Sequence, residues 1–158
     1  MGIEIERKFL VDKAKWQQAD RSDATVYLQA YLVHNDRVTI RVRTSHKEGF
    51  ITFKSSSGGR SRKEYEYPVP LQDAKEMMQN FAGNLVEKTR YRVLFAGKTW
   101  EVDEFSGDNA GLIIAEIELG DEEESISLPD WISTEVTDDP RYYNAYLSAH
   151  PYRSWQSL

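Results

Sequence analysis

Ile3-Glu4-Ile5-Glu6-Arg7-Lys8-Phe9 opens the chain, with Glu4, Glu6 and Lys8 on alternate positions. In an extended strand alternate residues share one face and stand about 7 Å apart. Two carboxylates and an ammonium therefore form one row, backed by Ile3, Ile5 and Phe9. One such row is the wet side of any sheet; its repetition along the chain is what decides the fold.

The same alternation recurs in segments rich in β-branched and aromatic residues. Strands are predicted at about 2–10, 25–34, 37–44, 49–55, 62–69, 85–95, 98–105 and 112–119. Asn35-Asp36, Glu48-Gly49, the stretch 55–59, Ala96-Gly97 and Ser106-Gly107 supply the turn chemistry between them. Connections this short make neighbouring strands antiparallel. Leu71, Ala74, Met77, Met78 and Phe81 recur at helical spacing ahead of a capping Gly83. Asp139-Pro140 predicts a second helix with Tyr142, Tyr143, Tyr146 and Leu147 as its apolar stripe. A short helix is also expected near 13–19, and the acidic run 121–124 reads as a solvated loop.

Taken two residues at a time, each strand has one polar and one apolar face. Arg41 and Arg43 oppose Val38, Ile40 and Val42. Lys54 opposes Ile51 and Phe53; Arg62, Glu64 and Glu66 oppose Tyr65 and Tyr67. Lys88 and Arg90 oppose Tyr91 and Val93, Glu101 and Asp103 oppose Trp100 and Val102, and Glu116 and Glu118 oppose Ala115 and Ile117. A merely solvated face would intersperse both signs with neutral polar residues. Here the signs segregate, acids on the first, seventh and eighth strands and bases on the third, fourth and sixth. Clustered carboxylates call for a cation, and clustered Arg and Lys for a polyanion.

Composition narrows the field. The 158 residues are 40% hydrophobic and 29% charged, as in a folded chain, and are read as one domain over 1–158. No cysteine is present, which excludes disulfides, zinc thiolates and thiol nucleophiles. A net charge of −6 disfavours nucleic acid and anionic membranes as partners. With no apolar run near 20 residues, a cytoplasmic, membrane-free protein is expected. The fold class expected is mainly β (α+β), with flanking helices: eight antiparallel strands suggest closure into a barrel without free edges, and a charged interior if the polar face is the one turned inward, which the alternation alone leaves open.

The ordered set of residues resembles the CYTH superfamily, the triphosphate tunnel metalloenzymes. It comprises Glu4-x-Glu6-x-Lys8 with Phe9-Leu10-Val11, Gln29-Ala30-Tyr31-Leu32, Arg41-Val42-Arg43, Lys54 and Glu64-Tyr65-Glu66. It continues through Lys88-Thr89-Arg90-Tyr91, Trp100-Glu101-Val102-Asp103, Ala115-Glu116-Ile117-Glu118-Leu119, Glu135-Val136-Thr137 and Tyr142-Tyr143-Asn144. The resemblance covers almost the full length and is closest to the short bacterial inorganic triphosphatase branch. It implies an eight-stranded tunnel that binds a small-molecule triphosphate with a divalent metal.

By that resemblance Lys8, Arg41, Arg43, Lys54, Arg62 and Arg90 clamp phosphate oxygens. Glu4, Glu6, Glu116 and Glu118 hold the metal, with Asp103, Glu64 and Glu66 as further or outer ligands. All-oxygen ligation points to Mg²⁺ or Mn²⁺. Lys88, paired with Tyr31, is the candidate base that activates water, its charge disfavoured by neighbouring cations. Lys88 reads alternatively as another phosphate ligand, and Tyr31 as a structural barrel tyrosine. A class IV adenylyl cyclase, a thiamine triphosphatase and a non-catalytic polyphosphate or nucleotide sensor are the competing functions. The oligomeric state is undetermined, a homodimer being one option.

Two further signals carry less. Ser56-Ser57-Gly58-Gly59-Arg60 lacks the ending of a Walker motif and reads as a hairpin loop or a basic flap. His34, His46 and His150 have no metal-ligand spacing, and the first two are expected to be exposed at strand ends.

Overall fold

A computed structural model describes residues 2–55 and 61–157. The loop expected over 56–60 lies outside the described residues. The strands are β1 (Gly2–Val11), β2 (Ala24–His34), β3 (Val38–Thr44), β4 (Gly49–Ser55) and β5 (Ser61–Val69). They continue with β6 (Leu85–Phe95), β7 (Lys98–Phe105), β8 (Ile113–Glu118) and β9 (Ile132–Glu135); the helices are α1 (Lys13–Trp16), α2 (Leu71–Phe81) and α3 (Asn144–Ala149).

Eight antiparallel strands run in the order β5-β4-β3-β2-β6-β7-β8-β1, and β1 closes the barrel onto β5. It pairs with β8 through Glu6–Leu10 and with β5 through Gly2–Ile5. The extra strand β9 adds to β1 at Phe9 and Val11. Its four residues, Ile132–Glu135, are too few to show an alternation, and the sequence reading had no strand there. The β6–β7 hairpin turns through Ala96 (φ 50°) and Gly97 (φ 80°), the paired left-handed residues that suit the twist of a two-residue connection.

The apolar faces point outward and are covered over two sectors of the barrel, while Ile3, Tyr65 and Tyr67 stay exposed. Helix α2 seats Ala74 and Met78 on Ala30 and Val42. A Cβ at Gly49 would stand 2.8 Å from the Ala74 Cβ, so glycine is what lets the helix approach β4. Over β1, β7 and β8 the cover comes from Trp16 of α1 and from Trp131, which packs edge-on against both Trp16 (ring centroids 5.0 Å) and Trp100 (6.0 Å). Burying one indole contributes about 4–6 kcal/mol gross at ~25 cal/mol per Å². The acidic run 121–124 is a surface loop tied back by Glu124, which accepts from the Gly120 amide and pairs with Lys98.

The C-terminal segment departs from the expected single helix. Asp139 does cap a turn, accepting from the Arg141 amide, but the turn is 3-10 over Pro140–Tyr142 and Tyr143 is extended before α3 begins. Tyr143 is thereby freed from the apolar stripe and swings toward the barrel interior. Helix α3 sits at the end of the barrel, with Leu147 packed on Val86, Phe105 and Ile114.

Those three residues share the inward face with charged neighbours: Val86 with Lys88 and Arg90, Phe105 with Asp103 and Glu101, Ile114 with Glu116. Leu10, opposite Ile114, follows Lys8 in the same way. The interior is therefore charged over one half and apolar over the other, and α3 seals the apolar end. No helix among the described residues is long and apolar enough to cross a membrane.

Candidate functional site

The charged half of the interior is a cavity of about 220 Å³, below the ~300–1,000 Å³ of sites for drug-sized ligands. Seven Lys or Arg and six Glu line it, so its complement is a ligand that carries both signs.

Its acidic wall comes from β1, β7 and β8. Glu6 stands opposite Glu118, Lys8 opposite Glu116, and Glu101 opposite Glu116 across the neighbouring ladder. Burial, then the charges of Glu116 and Glu4, push Glu6 up to about 8. Burial also raises Glu116, but Lys8, Arg90 and Lys88, with a hydrogen bond from Glu6, outweigh it and hold its carboxyl well below the usual range. Buried Lys8 is kept charged by Glu116 and Glu6 against the cost of burial. Glu118 is exposed at the rim and does not line the cavity; partial burial and the charges of Glu4 and Glu101 raise it.

The basic wall comes from β3, β4, β5 and β6. Lys54 Nζ lies 3.0 Å from Glu4 Oε1 and 3.4 Å from Glu64 Oε2. Arg41 donates to Thr52 Oγ1 at 3.1 Å and reaches Glu66 at 3.4 Å, while its buried Nε has no hydrogen-bond partner among the described residues. Arg43 forms no ion pair among the described residues. Burial, then Arg41 and Arg90, bring its guanidinium down to about 9. Arg62 stacks over the Tyr143 ring at 4.7 Å, and Lys8 faces the same ring at 5.3 Å.

Lys88 is 1% exposed. Its Nζ donates to Asn144 Oδ1 at 2.8 Å and lies 2.7 Å from Asp103 Oδ2. Burial lowers its pKa to about 7; Arg90 and Arg43 push the same way, and Asp103 opposes them. Asp103 stands apart from the role expected of it. It is wholly buried, does not line the cavity, and is gripped bidentately by Arg90 at 2.8 and 2.9 Å. Arg90 and Lys88 outweigh burial and hold its carboxyl at about 2. Both oxygens are committed to cations, which leaves none for a metal.

Glu4, Glu6, Lys8, Tyr31, Arg41, Arg43, Lys54, Arg62, Glu64, Glu66, Lys88, Arg90 and Glu116 thus share one cavity, and Glu118 and Asp103 flank it. The sequence reading passed over Glu101, Tyr143, Asn144 and Thr52, which also line it. Glu101 was legible as the alternate partner of Asp103; the neutral residues carry no charge pattern to find them by. His34 and His46 are exposed as expected, but His34 reaches the rim, hydrogen-bonded to Thr39 at 2.9 Å.

A model of the CYTH domain matches residues 2–143. The chain belongs to the CYTH family. It is 43% identical over 157 residues, 99% of each chain, to an inorganic triphosphatase of Acetivibrio thermocellus. To an inorganic triphosphatase of Nitrosomonas europaea it is 37% identical over 149 residues, 92% of this chain and 96% of the relative. The crystal structure of an inorganic triphosphatase matches it with a TM-score of 0.63 at 34% identity, over 92% of this chain and 97% of that one.

Membership of the CYTH family implies a divalent metal, and the acidic wall fits one. Its donors are hard carboxylate oxygens, and the raised Glu6 marks a place where negative charge lacks compensation. Among the described residues no three acidic or histidine side chains close a ligand cage.

Proposed function

We propose that this CYTH protein is a divalent-metal-dependent triphosphatase that hydrolyses inorganic tripolyphosphate to pyrophosphate and orthophosphate in the barrel cavity. The observation that carries the reading is the pairing of an acidic and a basic wall around a small cavity with unsatisfied cationic donors. Arg41 and Arg43 both line the cavity, and Arg43, its Nε held by the neutral Gln29, has no carboxylate partner among the described residues, so both are placed to receive anionic oxygens.

Phosphoryl transfer is mostly positioning and charge neutralisation. Arg41 and Arg43 bind phosphate oxygens through their guanidinium groups, and Arg90, its fork held by Asp103, adds charge around them with Lys8, Lys54 and Arg62. Glu4, Glu6 and Glu116, with Glu118 at the rim and Glu64 and Glu66 as outer donors, would hold Mg²⁺ or Mn²⁺, which neutralises charge on the departing pyrophosphate. Neutral Lys88 takes a proton from the attacking water; the new P–O bond forms as the phosphoanhydride bond breaks. A lysine with pKa near 7 is half deprotonated at neutral pH, unlike an ordinary lysine at ~10.4. Asp103 acts from behind, fixing Lys88 and Arg90 rather than touching the metal.

The test is phosphate release from tripolyphosphate with Mg²⁺, Mn²⁺ or EDTA, beside ATP reactions checked for cyclic AMP. Metal-dependent release without cyclic AMP is expected. Tight binding without turnover, or cyclic AMP from ATP, would overturn the reading.

A further inference from the structure

Two neutral amides connect the groups assigned to the chemistry. Gln29 is wholly buried on β2, and Asn144 is the first residue of α3. Arg43 Nε donates to Gln29 Oε1 at 2.8 Å. Gln29 Nε2 donates to the Tyr31 hydroxyl oxygen at 2.9 Å and to Asn144 Oδ1 at 3.2 Å. The same Asn144 oxygen accepts from Lys88 Nζ at 2.8 Å.

The direction of this chain is set at its start. A guanidinium only donates, so Gln29 must turn its oxygen to Arg43 and its NH₂ group to Tyr31 and Asn144. Asn144 must then answer with its oxygen. A neutral lysine has two N–H bonds and one lone pair. With Asp103 and Asn144 accepting the two N–H bonds, the lone pair has only the cavity to face. The Tyr31 oxygen accepts from Gln29, so its own proton is left to donate, and Tyr31 also lines the cavity.

We propose that Gln29 and Asn144 are positioning residues that make Lys88 a proton acceptor and Tyr31 a hydrogen-bond donor toward the substrate, with α3 thereby completing the site. The inference rests on the triphosphatase reading for the roles of Lys88 and Tyr31, but not for the hydrogen-bond chain itself. Neither amide need touch the phosphate. Losing one should misdirect the base, an error of the kind that costs ~10²-fold for a displacement of about 1 Å.

The variants are Gln29→Glu, near-isosteric but lacking the N–H donors, and Asn144→Ala on the half-buried helix, which tolerates truncation if the first fails to fold. Each is expected to lower kcat for tripolyphosphate about 10–100-fold with KM within about threefold and the melting temperature close to the parent's. The double variant should be little worse than the worse single one, since both break one chain. Unchanged kcat, losses confined to KM, or losses that multiply would overturn the proposal. A second readout needs no turnover. In the NMR spectrum of the free protein, one Gln29 NH₂ proton should move in Tyr31→Phe and the other in Asn144→Ala. Protons that respond to neither overturn the proposal whatever the kinetics. An inert wild type with both responses intact would keep the hydrogen-bond chain and overturn the triphosphatase reading instead.

Discussion

The two halves of the barrel interior are built from the same strands and solve opposite problems. Around Lys88, Arg90, Glu6 and Glu116 the chain concentrates charge where burial penalises it, and the raised Glu6 and lowered Lys88 record the cost. Around Val86, Phe105, Ile114 and Leu147 it makes an ordinary apolar core. The difference teaches that stability and chemistry are segregated along the strand axis, one residue pair apart. The apolar half holds the staves in register, so the charged half can remain strained until a ligand relieves it.

The sharpest break comes from Lys88→Ala, which should lower kcat of the folded fraction by ~10²–10⁴-fold. The pH profile checks the same assignment. The base acts when deprotonated, so wild-type kcat should rise about tenfold per pH unit below ~7 and flatten above, a limb absent from the variant. Ile114→Ala should do the reverse, costing ~2–5 kcal/mol of unfolding free energy by denaturant melts and leaving kcat of the folded fraction within about threefold.

Glu6→Gln should combine both signs, abolishing metal-dependent turnover and raising the melting temperature in EDTA. Glu6 holds its proton in the fold up to about 8 and in the unfolded chain only to the ordinary carboxylate range. Wild-type stability therefore falls as pH rises from ~4.5 to ~8, and the gain in the variant should grow across that window. A gain of about 1 kcal/mol would appear as roughly 2–4 °C, and no gain at pH 8 would sink the claim of strain. The baseline is Glu135→Ala, which breaks the exterior pair with Arg7 (2.6 Å) and should cost only ~0.2–1 kcal/mol.

Much of this was legible in the sequence because period-two alternation is a local signal. The eight strands and their charged faces follow from it; helix α2 follows from the equally local helical spacing, and the family resemblance supplied the inward direction of the charged face. What escaped was either too short or uncharged. The four residues of β9 cannot show a period, and Tyr143 leaves the helical stripe because the Asp139 cap closes a 3-10 turn rather than an α-helix. The apolar half of the interior did leave a trace: Phe9-Leu10-Val11 and Leu112-Ile113-Ile114 break the alternation with continuous apolar runs, the mark of burial on both faces. Gln29 and Asn144 have no such mark, since an amide at one position looks like any polar residue until its partners are known. The family resemblance reads Asp103 as a further or outer metal ligand; the cations around it show that its oxygens are taken and leave it the outer position.

Closure of the barrel through β1 has a consequence for how the molecule is made. Its ladders join Glu4 to Arg62, Glu6 to Glu118 and Phe9 to Glu135, whereas β2–β3, β3–β4, β4–β5 and β6–β7 are local hairpins. Long-range pairings are slow to form because their loops must close first. In pulse-labelled exchange the β1 amides should gain protection after those of the hairpins. Strand β1 is then the last to be set in place, and it carries part of the acidic wall, Glu4 and Glu6, with it. Until β1 docks, the basic staves face only Glu101 and Glu116 of β7 and β8, so the full set of carboxylates comes together only as the barrel closes.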